Sequence, residues 1–99
     1  MTTQMFDPPH PGEFINATYL EPFGITARLL ATRLEVSPST LSRVLNGSSR
    51  VTPEMALRLA RVLGRSAESW LAMQDAYDLW TARSKIDVER LIPVDFAAA

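Results

Sequence analysis

Residues 26–46 read TARLLATRLEVSPSTLSRVLN, two short helical patterns that meet at a tight corner. Leu30 and Leu34 lie about one helical turn apart and share a face. Val36 falls in the turn and fills the angle between the helices. Leu41 and Val44 hold the second helix against the first, and small Ala31 lets the two backbones approach. Ser37 is placed to cap the second helix, and Pro38 suits the first helical position, where no N–H is needed. The spacing predicts a helix-turn-helix whose second helix runs over 38–45. Its outward face carries Ser39, Thr40, Ser42, Arg43 and Asn46. Short polar groups and a guanidinium on such a helix reach base edges and phosphates.

The distribution of charge agrees with that face. The 99-residue chain has a net charge of −1, which by itself argues against a polyanionic partner. Residues 26–65, however, hold seven arginines against Glu35 and Glu54, a local net of +5. The segments 1–25 and 66–99 each sum to −3. Affinity for phosphates follows the local patch and not the total. The cations of the basic middle are all arginine, which suits bidentate contacts.

Composition narrows the class. The length argues for one domain with one modest core, and 46% hydrophobic residues suffice for a globular fold. No apolar run approaches bilayer length and no signal-peptide pattern opens the chain, which suits a soluble cytoplasmic protein with no membrane partner. Without cysteine, disulfides and thiolate metal sites are excluded. His10 alone cannot build a zinc site, so no metal or cofactor is expected. It also has no evident nucleophile to serve and reads as a capping or surface residue before Pro11. No catalytic residues are assigned, and an enzyme is not expected.

The expected architecture is all-α, five helices with a short extended C-terminal tail. Residues 1–10 read as an irregular arm, residues 11–83 as the helical domain and residues 84–99 as the tail. The first helix is expected from Pro11 to about Leu20, packing through Phe14, Ala17, Tyr19 and Leu20 and ended by Pro22 and Gly24. Thr26 caps the second helix, over about 26–33. Thr52 caps a fourth, with Met55, Ala56, Leu59, Ala60 and Leu63 inward, and Ser66 caps a fifth over 67–83. That last helix repeats Trp70, Met73, Tyr77 and Trp80 along one stripe, beside Leu71, Ala72, Ala76 and Leu79. So much apolar surface needs more than one cover. The stripe Trp70, Met73, Tyr77 and Trp80 is therefore expected to form a homodimer interface; the alternative is that all of these residues enter the chain's own core. Glu68, Asp75 and Asp78 read as the helix's solvated side. In the tail, Ile86 and Val88, then Ile92, Val94 and Phe96, alternate. This suggests an extended segment that joins a dimer interface, binds a partner or drapes over the surface.

Four segments carry a resemblance. SPSTLSRVLNG at the second helix of the corner is similar to the phage-repressor-like XRE class. HPGEF at 10–14 with LEPFGIT at 20–26, TPEMALRLARVLG at 52–64 and ESWLAMQDAYDLW at 68–80 resemble the HigA antitoxin family, the VapI-like group. The likeness covers roughly residues 10–83. It implies an antitoxin that neutralises a HigB-type toxin, an endonuclease of messenger RNA. It also implies repression of its own operon through double-stranded operator DNA, as a dimer. A free-standing repressor without a toxin is the alternative.

Within this frame Ser39, Ser42 and Arg43 are expected to read bases, with the Arg43 fork matched to guanine O6 and N7. Thr40 and Asn46 read bases or phosphates. Arg28 and Arg50 hold phosphates, with Thr26 and Ser49 assisting. Arg33 is left to pair with Glu54 or Glu35, and Arg58 and Arg61 to the far side. Two departures stand out. Glu35 occupies a corner where many helix-turn-helices have glycine, so it must take a strained or left-handed backbone. The reading helix also lacks a glutamine at its start, so that adenine contact is not carried over.

Overall fold

The computed structural model describes residues 7–97, and the first six residues of the expected arm lie outside it. The chain is all-α, as the pattern implied. Helix α1 is assembled from Pro11–Ile15, a wide π-helical stretch Asn16–Leu20, and Glu21–Phe23. Helices α2 (Ala27–Leu34), α3 (Pro38–Leu45), α4 (Pro53–Leu63) and α5 (Ala67–Arg83) follow. The tail holds one 3-10 turn, Val88–Arg90, which interrupts the alternation expected at Ile86 and Val88.

Four of these helices start on a hydroxyl. Thr26, Ser37, Thr52 and Ser66 accept from the backbone N–H three residues on, at 3.0–3.2 Å. Each such cap is worth about 1 kcal/mol. Helix α1 starts differently. His10 Nδ1 accepts the Gly12 N–H at 2.9 Å, and Pro11 takes the first position. The helix also runs past its expected stop. The Glu21 N–H reaches back five residues to the Asn16 carbonyl. The widened turn relieves the crowding a proline ring causes, and Pro22 has no N–H to leave unmet. Gly24, at φ 64°, is left-handed and ends the helix.

The core is one cluster around the corner. Ile15, Leu30, Leu34, Leu41, Val51, Ala56, Leu59 and Trp70 are each at most 2% exposed. Val36 is half-buried against them, in the angle it was expected to fill. On α1 the buried positions are Pro11, Gly12, Ile15 and Leu20. Ala17, expected inward, is exposed because it stands two residues from Ile15, on the opposite side of the helix.

Gly12 has a steric reason. A Cβ there would lie 2.8 Å from both Cα and O of Leu45, and closer still to the Val44 carbonyl. Helix α1 thus lies backbone to backbone on the end of α3. Asn16 adds a hydrogen bond from Nδ2 to the Leu45 carbonyl at 3.4 Å.

The corner is strained and supported. Glu35 is left-handed at φ 59°, ψ 45°, a cost of about 1–2 kcal/mol for a residue with a Cβ. Arg58 Nη1 donates to the Leu34 carbonyl at 2.7 Å and to that of Glu35 at 3.4 Å. Its Nε and Nη2 hold Glu54 at 3.3 and 2.9 Å. The expected pairing is therefore corrected: Arg58, not Arg33, takes Glu54, and it faces the corner and not the far side. A cation on the last carbonyls of α2 also complements the negative end of its dipole.

Trp70 is corrected as well. It is fully buried inside its own chain, with Nε1 donating to the Gly64 carbonyl at 3.0 Å. Phe14 meets it edge-on at 5.9 Å, and the Arg65 guanidinium lies over both rings. It has no surface left for a partner. Met73 and Tyr77 are half-buried, and Tyr77 meets the His10 ring edge-on at 5.1 Å. The apolar residues that α5 leaves outward are Ala72, Ala76, Leu79, Trp80 and Ala82.

Two measurements follow. Gly12→Ala must push α1 off α3 and should cost about 1–3 kcal/mol, read as a lower urea midpoint; an unchanged midpoint would contradict the close approach. Burial holds the His10 imidazole below its usual 6.5, against the opposing pull of the Ser49 carbonyl, Asp78 and Glu13. The fold therefore prefers neutral His10, and the unfolded chain takes up the proton first. This contribution is present above pH 6.5 and is lost as pH falls through the lower folded value. Urea midpoints should drop over that window in the wild type and less in His10→Asn.

Candidate nucleic-acid interface

Helix α3 carries the residues expected to read bases. Ser39, Ser42 and Arg43 are all exposed. At spacings of three and four they share one face of the helix. The opposite face, Leu41 and Val44, is buried. Arg43 has no side-chain hydrogen bond or ion pair among the described residues. Its backbone carbonyl is heavily used, accepting Ser48 N at 2.9 Å, Ser49 N at 3.0 Å and Ser48 Oγ at 3.3 Å. The residue is fixed by its main chain and free at its guanidinium.

The other polar residues of the helix have local duties. Thr40 is half-buried, and its hydroxyl accepts from Ser37 Oγ at 2.8 Å. Asn46 is exposed, and its Oδ1 accepts from Ser48 N at 3.0 Å and from Ser48 Oγ. Its amide nitrogen remains a donor. Together these bonds shape residues 46–49 into a turn over the end of α3.

Thr26 and Arg28 stand at the start of α2. Thr26 Oγ1 caps the helix at Leu29 N, and Arg28 is exposed. In a helix-turn-helix the first helix crosses the DNA backbone while the second enters the groove, which suits a phosphate role for this end. Ser49 is half-buried in the turn.

Arg50 is not free. Its Nη2 and Nε donate to Asp78 Oδ2 at 2.8 and 3.3 Å, and Asp75 lies 3.7 Å away. Asp78 is held in turn by Gln74, whose Nε2 donates to Oδ1 at 3.0 Å. Gln74 is 1% exposed, and its Oε1 accepts the Val51 N–H at 2.7 Å. Burial pushes the Asp78 carboxyl up. The hydrogen bonds from Arg50 and Gln74, with the charges of Arg50 and His10, outweigh it, and the group sits below its usual range. Asp78 is thus no idle solvated group, whereas Asp75 stays on the solvated side.

Sequence reading missed Gln74. Its signal was present: a lone amide on the stripe from Trp70 to Tyr77, four residues past the buried tryptophan. A buried polar group there needs partners, and the backbone of Val51 and the carboxylate of Asp78 supply them. Among the described residues no group of three or more His, Cys, Asp or Glu could hold a metal ion, and no helix is long and apolar enough to cross a membrane.

Comparison with known proteins places this arrangement. Residues 17–70 match the Helix-turn-helix family HTH_3. The chain is 43% identical over 86 residues to virulence-associated protein I of Dichelobacter nodosus, covering 86% of this chain and 80% of that protein. It superposes on an addiction-module antidote protein of the HigA family from Coxiella burnetii with a TM-score of 0.84 and 33% identity. That match covers 91% of this chain and 100% of the other. The antitoxin HigA of Pseudomonas aeruginosa, solved with its higBA promoter, gives a TM-score of 0.79 at 31% identity, over 89% of this chain and 96% of that one. With a capped, arginine-bearing second helix in its helix-turn-helix and a five-helix frame, the chain belongs to the HigA-like, VapI-like branch of the helix-turn-helix family.

Proposed function

We propose that this chain is an operator-binding antitoxin, which represses its own operon and neutralises a HigB-type mRNA endonuclease. The observation that carries the DNA half is the exposed face of α3, Ser39, Ser42 and Arg43, on a helix packed from behind by α1. In this reading Arg43 docks bidentately on a guanine edge, while Arg28 and Arg50 settle the register on phosphates, assisted by Thr26 and Ser49. Thr40 and Asn46 shape the helix ends, and Asn46 offers one further donor. The toxin half rests on the family. Co-purification with the product of an adjacent short reading frame tests it. Operator binding with no co-purifying toxin favours the free-standing repressor.

Reading one operator needs two such helices, so the acting species is a homodimer with its reading helices about 34 Å apart. The face for it is the outward side of α5, Leu79 and Trp80 flanked by small Ala72 and Ala76. The two leave 52% and 37% of their surfaces exposed. Aromatic and aliphatic anchors of this kind fill interface cores.

Three results are expected. Binding to operator DNA should weaken at least about a hundredfold between roughly 50 and 200 mM salt, as several phosphate contacts require; a flat salt response would remove the DNA assignment. Arg43→Ala should cost roughly 1–3 kcal/mol on the operator and relax preference at one base pair per half-site, while leaving random DNA nearly unaffected. In sedimentation, the wild type should be dimeric at micromolar concentration and Leu79→Asp with Trp80→Ala monomeric yet folded. A variant that remains dimeric would move the interface off α5.

A further inference from the structure

The arginine that follows the reading helix already has an anion. Arg50 is half-exposed, at the surface where DNA phosphates would lie, and its Nε and Nη2 both point at Asp78 Oδ2. A carboxylate oxygen taking two guanidinium N–H groups occupies the donors a phosphate oxygen would take. The carboxylate is not a loose surface group. It is anchored through Oδ1 to Gln74, a buried amide that also holds the backbone of Val51, the residue next to Arg50. One buried side chain thus fixes both the acceptor and the main chain bearing the donor. Asp75 adds a second negative charge at 3.7 Å.

We propose that Asp78 is a phosphate surrogate, an intramolecular competitor that DNA must displace from Arg50, and so a determinant of DNA affinity carried on α5. This rests on the DNA-binding reading above. When Arg50 transfers to a phosphate, one bound anion is exchanged for another. The gain from that contact is small, and the carboxylate left behind takes up a cation. The counterion released from DNA is thereby partly cancelled. The same residue links the DNA-facing turn to the helix whose other side is open for a second copy.

The test is Asp78→Asn, which keeps a carbonyl oxygen for Gln74 Nε2, with thermal melting to confirm the fold. Operator affinity is measured over a salt series, in wild-type and Arg50→Ala backgrounds. Releasing an exposed ion pair should tighten binding about threefold per reading helix. The slope of log K against log salt should steepen by about 0.9 for each Arg50 set free. In the Arg50→Ala background the same change should do nothing. Unchanged or weaker binding by Asp78→Asn overturns the proposal, since Asp78 would then be inert or would orient Arg50 for DNA. A tightening that persists without Arg50 also overturns it, because the carboxylate would act only through its long-range field. Failure of the wild type to bind operator at low salt would refute the DNA reading itself and is seen separately.

Discussion

The contact of α1 with the end of α3, backbone against backbone at Gly12, is the constraint on which the rest depends. A reading helix of eight residues is too short to be stable alone. It also cannot bury its outer face, which must stay polar for DNA. Its order therefore comes entirely from behind. Leu41 and Val44 enter the core, Ser37 caps one end, and α1 closes on the other through a residue with no side chain. His10 starts α1 and meets Tyr77 edge-on, so the same joint reaches α5. The capping imidazole, the glycine and the tyrosine form one seam through the molecule.

Strain at the corner is offset locally. A left-handed glutamate costs backbone energy that a glycine would avoid. Here Arg58 spans that corner, donating to the last carbonyls of α2 while fixed by Glu54. The arginine-rich middle of the chain is thus not uniformly a DNA surface. Arg58 is structural and Arg50 is paired, whereas Arg43 is unengaged. Net charge over a segment counts cations; geometry decides which of them can act.

Much of the fold was legible because local signals agreed. The boundaries of α3, α4 and α5 follow directly from a hydroxyl cap or a terminating residue. The exposed face of α3 was legible because helical periodicity leaves Ser39, Ser42 and Arg43 on one side once Leu41 and Val44 go inward. Tertiary facts were not. Pro22 is a valid stop signal that a π-helical turn overrides. The apolar excess on α5 announced burial on two sides, yet periodicity could not say that Trp70 belongs to the inner one. It lies inward because Phe14, Tyr19 and Arg65, distant or across a corner in sequence, converge on it. Asp78 looked solvated because its partner Arg50 is 28 residues away.

The bonding of Arg43 bears on how such a protein changes its target. Its carbonyl anchors the turn after α3 through three hydrogen bonds, and any amino acid that keeps the helix, which excludes proline with its missing N–H, could supply that carbonyl as well. Its guanidinium makes no hydrogen bond or ion pair among the described residues. In the proposed reading, scaffold and selectivity reside in different atoms of one residue, so drift at this position alters the preferred base while the fold is left alone. Ser39 and Ser42 share that exposure. A lineage carrying this frame can diversify its operators by surface substitution, with the seam at Gly12 held constant.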